Sequence, residues 1–201
     1  HERLVGSEMC IRDREALFSL DMPEKTAVCI LADKEEIGSV GISGMQSHYF
    51  EHFMEGLCDA QGVKLSDCFA NSFCLSADVS NAFDPNWPET CDKRNNSQLN
   101  YGVAICKYTG SRGKGGASDA SAEAMGHVRS TLDKAGVIWQ IATLGKVDQG
   151  GGGTVAAYMA NRNIVTVDAG VPVLSMHAPL ELVSKLDCYE TMLACKAIYL
   201  A

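Results

Sequence analysis

Glu35 and Glu36 stand side by side where an apolar run, Ala27-Val28-Cys29-Ile30-Leu31-Ala32, breaks into Asp33-Lys34-Glu35-Glu36. Two adjacent carboxylates repel each other unless a cation holds them, and a divalent metal is the usual answer. One member of such a pair can ligate metal while its neighbour takes a proton from the attacking water. A solvated charged turn, partly compensated by Lys34, is the competing reading. Asp78 follows a second apolar run, Ser72 to Ala77, and its oxygen donors suit zinc, manganese or cobalt. A turn or helix cap is the alternative there. His177 lies in Ser175-Met176-His177-Ala178-Pro179, stiffened by Pro172 and Pro179. It reads either as a metal ligand or as a satisfied core histidine.

A glycine run, Gly150 to Gly153, leads into Thr154. Backbone N–H groups at Gly152, Gly153 and Thr154 could hold an oxyanion or a substrate backbone. A flexible turn capped by Thr154 is the alternative. No GK[ST] follows, so the run is not a Walker A loop. His48 and His52 have i, i+4 spacing but no HExxH pattern, and read as an ordinary helix face.

These residues need strands to carry them. Buried strands are expected at Ala27 to Ala32, Ser72 to Ala77, Gly102 to Tyr108, Ile138 to Leu144 and Ile164 to Ala169. Between them the pattern predicts helices. One ends over Glu15 to Leu20; one spans Gln46 to Leu57 with Tyr49, Phe50, Phe53 and Leu57 on one face; one spans Leu65 to Ala70. A further helix, capped by Ser118-Asp119, runs to about Ala135; a short one covers Thr154 to Ala160; a long amphipathic one covers about Leu180 to Leu200. Pro172 to Pro179 reads as a loop. Strands alternating with helices predict one α/β layered domain. Asp78 then closes its strand, and Glu35, Glu36 and His177 follow theirs, at carboxyl ends where open α/β sheets bind ligands.

Composition limits the partners. Of the 201 residues, 46% are hydrophobic and 21% charged, ordinary for a globular chain, and the net charge is −8. That charge argues against nucleic acid as the main partner and suits a site that collects cations. No apolar run approaches the length of a membrane span. Nine cysteines without a CxxC pair, several inside apolar runs (Cys29, Cys74, Cys106), fit a reduced, cytoplasmic setting. Residues 1–14, HERLVGSEMCIRDR, show no periodicity and no initiator Met, and read as a non-native leader. Residues 15–201 form the domain proper.

Five motifs in order, ADKEEIGS, SADVSNAFDPN, DKRN, GGGGT and VPVLSMHAP, resemble the aspartyl aminopeptidase/aminopeptidase I family of binuclear zinc metallopeptidases, its bacterial members above all. The resemblance runs from about Glu15 to Ala201. It implies a three-layer, zinc-exopeptidase-like α/β fold with a mixed, mainly parallel central sheet and helices on both faces. It implies a metal-dependent aminopeptidase that releases N-terminal, often acidic, residues from peptide substrates, by metal-activated water with Glu35 as general base. Glu36 and His177 would bind one zinc and Asp78 the other, with Mn2+ or Co2+ as alternatives to Zn2+. It also implies a homo-oligomer, from dimer to dodecamer.

The family also carries an HxD histidine and an aspartate bridging both metals, upstream of the strand that opens at Thr26. No HxD occurs here, and Asp13 is too close to that strand to match the bridge. The chain therefore reads as an N-terminally truncated, carboxyl-terminal portion of the catalytic domain. A non-catalytic or oligomerisation piece of the fold, or a related binuclear amidohydrolase or deacylase, is the alternative. An acidic substrate side chain would want a basic partner; Arg112, Lys114 and Lys146 are candidates by charge alone.

Overall fold

A computed structural model describes residues 4–112, 115, 116 and 118–201, with backbone alone for residues 4–10. Helix α1 (Leu4–Phe18) leads to a stretch whose one regular element is a 3-10 turn, Glu35–Ile37. Then come α2 (Tyr49–Gln61), α3 (Leu65–Ala70), β1 (Phe73–Asn81), β2 (Val103–Cys106), α4 (Ala122–Ala135) and β3 (Trp139–Ile141). The chain closes with α5 (Ala156–Ala160), β4 (Val165–Leu174), β5 (Leu182–Val183) and α6 (Lys185–Tyr199). The boundary expected at residue 14 falls inside α1.

The sheet order is β1-β4-β2-β3, with β5 paired to β4. Its longest ladder, β1 with β4, is parallel, as is β2 with β3; β4 runs antiparallel to β2 and β5. The sheet is thus mixed and mainly parallel. Because side chains alternate along a strand, each strand divides its residues between two faces. Val103, Ile105, Val167 and Ala169 point one way and pack with Ala124, Val128 and Leu132 of α4 and Ala194 and Ala197 of α6. Phe73 and Leu75 join them from β1. The opposite face begins with Cys74, which packs into the cluster of Phe50, Met54, Phe69 and Met159 from α2, α3 and α5. Helices therefore cover both faces, giving the three layers expected.

On that second face the strands become polar. Register aligns Ser76 with Asp168 and Asp78 with Gly170 between β1 and β4, and Cys106 with Asp168 between β2 and β4. Ser76, Asp78 and Ser80 thus share a face with Asp168 and Gly170. Gly170 allows the close approach this requires: a Cβ there would lie 2.7 Å from the carbonyl carbon of Val79.

Several sequence expectations need correction. The run Ala27 to Ala32 is not a strand. A strand needs a neighbour's backbone groups, and no described strand lies beside this run. Ile30 and Leu31 are exposed, and the run is tied instead to the end of α6, where the Tyr199 hydroxyl donates to the Val28 carbonyl (3.2 Å). β1 continues past Asp78 to Asn81, so Asp78 lies inside its strand. β4 likewise continues through Pro172 to Leu174, beyond the reach of β2, whose ladder ends at Gly170. In α2 the buried face is Phe50, Met54 and Cys58, at i, i+4 and i+8, while Tyr49 and Phe53 are exposed. The cap of α4 is Ser121, whose hydroxyl accepts from the Ala124 N–H (3.1 Å); Asp119 pairs with Lys107 instead. α6 starts at Lys185 under a Ser184 cap, because β5 takes the residues just before it.

Candidate active site

Glu35 opens a single 3-10 turn, Glu35–Ile37, set between two left-handed residues, Lys34 (φ 60) and Gly38 (φ 86). The Gly38 N–H donates back to the Glu35 carbonyl at 2.9 Å. Lys34 does not neutralise the glutamates. Its ammonium donates to Asp33 (2.7 Å), and Ser43 donates to the same carboxylate (2.6 Å). That knot pulls Asp33 down to about 2 through its bonds to Lys34 and Ser43. The loop is also fastened to α5, since the Tyr158 hydroxyl donates to the Gly38 carbonyl (3.2 Å).

Freed of Lys34, Glu35 feels burial first, then the charges of Asp78 and Glu36, and is pushed up to about 7, with His177 opposing. Asp78 is likewise raised, chiefly by burial and further by Glu36; the Val79 N–H (2.7 Å), Arg12 and His177 hold it back. Glu35, Glu36, Asp78 and His177 thus share one electrostatic neighbourhood although they are up to 142 positions apart in the chain (177 − 35). Among the described residues, no three His, Cys, Asp or Glu side chains gather as a metal cage.

His177 is exposed and follows β4 in a tight turn with Ser175 (φ 59) and His177 itself (φ 65) in left-handed conformations. Its N–H donates to the Glu181 carboxylate, and the Ala178 N–H donates to the Ser175 carbonyl (2.9 Å). These bonds fix the backbone and leave the imidazole uncommitted to the core. The donor chemistry of Glu36, Asp78 and His177, oxygen and imidazole, fits zinc. The crowding of like charge around Asp78 is what a bound cation would relieve.

The glycine run is built by backbone contact. Gly151 (φ 100) lies so close to the preceding loop that a Cβ would stand 1.9 Å from the Gly110 carbonyl oxygen, and the Gly110 N–H donates to the Gly152 carbonyl (2.6 Å). Thr154 is not a helix cap. α5 starts at Ala156 behind Val155, and the Thr154 hydroxyl donates to Asp168 at 2.8 Å. Gly153 approaches Gly116. Arg112 and Lys146 are exposed; Lys114 lies outside the described residues. His48 and His52 stack on each other at the start of α2, and His48 faces Glu51 (3.6 Å).

Asp168 escaped the sequence reading. It is 5% exposed in the middle of β4 and raised to about 6, chiefly by burial, with Thr154 opposing. A lone carboxylate inside the apolar run Ile164 to Val171 was the available signal, since a buried charge demands a partner. A surface hollow of about 400 Å³, lined by Leu17, Pro23 and Ala27 among others, lies apart from these groups and contains none of them.

An open mixed sheet with helices on both faces, and with Ser76, Asp78 and Asp168 on one of them, defines a layered α/β fold. The chain belongs to the aminopeptidase I zinc metalloprotease family, M18, whose model matches residues 6–199. It is 49% identical over 181 residues to a protein of Clostridium acetobutylicum described as "Probable M18 family aminopeptidase 1", covering 88% of this chain and 39% of that one. The solved structure of aminopeptidase I from Clostridium acetobutylicum superposes with a TM-score of 0.89 at 45% identity, over 96% of this chain and 42% of that one. That of the M18 aminopeptidase from Thermotoga maritima gives 0.90 at 41%, over 97% and 44%. The chain therefore spans about two fifths of the relatives it matches. Among the described residues no helix is long and apolar enough to cross a membrane.

Proposed function

We propose that this chain carries the general base and part of the metal-ligand set of a zinc-dependent aminopeptidase. The carrying observation is Glu35, held near neutrality by burial and by Asp78 and Glu36, in the same field as His177. Glu36 and His177 are the proposed ligands of one zinc and Asp78 of a second, with Mn2+ or Co2+ as substitutes. The chemistry such ions supply is Lewis acidity toward a carbonyl and an acidified water. Glu35's part is to accept a proton at a carboxylate oxygen and return it to the leaving amine. A base with a pKa near the working pH does both steps well. The glycine run, held against Gly110 by backbone contact, would present backbone groups suited to a peptide substrate. Acidic substrates are the proposed class, with Arg112 and Lys146 as the charged side chains available beside that loop.

The described ligands do not close a three-residue cage. This favours a second reading for the isolated chain: a piece of the fold that needs further ligands to turn over substrate. In that reading the remaining ligands, and a homo-oligomeric assembly, belong to the longer protein.

The test is hydrolysis of aminoacyl-nitroanilides by the 201-residue chain with zinc, manganese or cobalt, beside equilibrium dialysis of each metal. Metal binding that weakens in Asp78→Asn and His177→Ala, with Glu35→Gln still binding but inactive, supports the aminopeptidase reading. Turnover undiminished in Glu35→Gln overturns the assignment of the base. Metal uptake without turnover selects the second reading.

A further inference from the structure

Three hydroxyl groups face Asp168, two of them buried and that of Thr154 half-buried. Thr154 donates to it at 2.8 Å, and the buried hydroxyls of Ser76 on β1 and Thr109 beyond β2 also act on its carboxylate. Ser76 is the register partner of Asp168, so both lie on the Asp78 face of the sheet. Asp168 is also the diagonal neighbour of Asp78, one step back along that face from Gly170. Thr154 is the last residue of the glycine run before α5. It has no capping bond to make there, because the α5 cap position is Val155, without a side-chain bond.

We propose that Asp168 is a positioning residue that anchors the Gly150–Thr154 loop to the sheet beside Asp78, so that the loop's backbone can receive a peptide. The proposal rests on the aminopeptidase reading for the identity of the ligand. The anchoring follows from geometry. Glycines in series lose more backbone freedom on ordering than any other residues. The run is fixed at one end by backbone contact with Gly110 and Lys146, whose carbonyl accepts from the Gly150 N–H at 2.6 Å. At its other end the one side chain available to hold it is Thr154. The bond from Thr154 to the floor of the sheet closes the loop at both ends. A carboxylate in that floor accepts a stronger bond from the hydroxyl than a neutral group would.

The test uses Thr154→Val, close in size to the native residue, with Thr154→Ser and Asp168→Asn as conservative partners that keep a donor and an acceptor. Amide hydrogen exchange at Gly151 to Gly153 and the affinity for the dipeptide aspartyl-alanine, followed by NMR, are measured on the 201-residue chain. The expected result for Thr154→Val is about a tenfold rise in loop exchange and about a tenfold weaker dipeptide Kd, with exchange in β1 and β4 unchanged. Thr154→Ser should keep both within about twofold of wild type, and Asp168→Asn, whose neutral oxygen accepts a weaker bond, should fall between wild type and Thr154→Val. Unchanged loop exchange in Thr154→Val overturns the proposal, as does faster exchange with unchanged dipeptide affinity. If the wild-type chain binds no dipeptide, the peptidase reading fails, and the anchoring is then decided by exchange alone.

Discussion

Asp78 and Gly170 are register partners in the parallel ladder of β1 and β4, and a methyl group on Gly170 would stand 2.9 Å from the Ser80 nitrogen. The metal-ligand candidate thus sits beside a position where only glycine lets the two backbones meet. Gly170→Ala must push β4 away from β1. The expected cost is about 1–3 kcal/mol, the range for overpacking, read as a lower urea midpoint. Zinc affinity measured by dialysis should fall with it, because Asp78 lies on β1 directly opposite Gly170.

Glu35 gives a pH prediction with a definite sign. Its pKa rises from an ordinary 4.5 to about 7 on folding, through burial and the neighbouring carboxylates. In the metal-free chain the folded state therefore binds more protons than the unfolded state between these values, and stability falls as pH rises from about 4.5 to 7. Glu35→Gln should flatten that part of the profile and raise the melting temperature at pH 8. Saturating zinc should do the same in the wild type, because a cation favours the ionised carboxylate. Thermal melts across pH, with and without zinc, check both statements.

Glu51 shifts in the opposite direction, lowered by its bond to Arg162. Arg162 reaches Glu51 at 2.6 Å and the carbonyls of Tyr158 (2.7 Å) and Met45 (3.1 Å), joining α2, α5 and the loop before α2. Burial alone would raise the Glu51 pKa; its bond to Arg162 outweighs that and leaves the group lowered. The stability it contributes is present above its unfolded pKa and is lost as pH falls through the folded value. Arg162→Ala should cost about 2 kcal/mol at pH 7 and less once the pH is low enough to protonate Glu51 in both states.

A fourth prediction concerns Asp187, fully buried at the start of α6. Its two oxygens accept from the N–H groups of Asn100 and Gly102, each at 2.8 Å, and so hold the entry to β2. Asp187→Ala strands both donors and should cost about 3 kcal/mol. Asp187→Asn, which keeps one acceptor oxygen, should recover part of that. Chemical denaturation of both variants measures the difference, with metal affinity as the control expected to stay unchanged.

The layered fold and the family were legible because they depend on features that a linear pattern carries. Apolar runs such as Phe73 to Ala77 and Ile164 to Ala169 became paired strands, and motifs such as Ser76-Ala77-Asp78 keep their spacing. What failed depended on neighbours distant in the chain. Ala27 to Ala32 has the composition of a buried strand, but whether it pairs is decided by what lies beside it. The end of β1 was set three residues too early because Asp78 was taken for a strand terminus. In fact β4 continues alongside it, through a proline that the linear pattern reads as a break. Thr154 was assigned a local role at a helix start, whereas its partner, Asp168, lies fourteen residues ahead on the sheet. The competing reading of a charged turn partly compensated by Lys34 fails for the same reason: the left-handed turn at Lys34 points its ammonium to Asp33 and Ser43.

The two faces of the sheet also divide the mutational burden. Val103, Ile105, Val167 and Ala169 answer only to the packing of α4 and α6, while Ser76, Asp78 and Asp168 answer to the chemistry across the sheet from them. A change in ligand preference can therefore accumulate on one face of a strand without touching the residues that hold the strand in place. Gly170 is the exception, since a Cβ there would press on the backbone of β1: this position stays closed to drift whatever its neighbours on that face become.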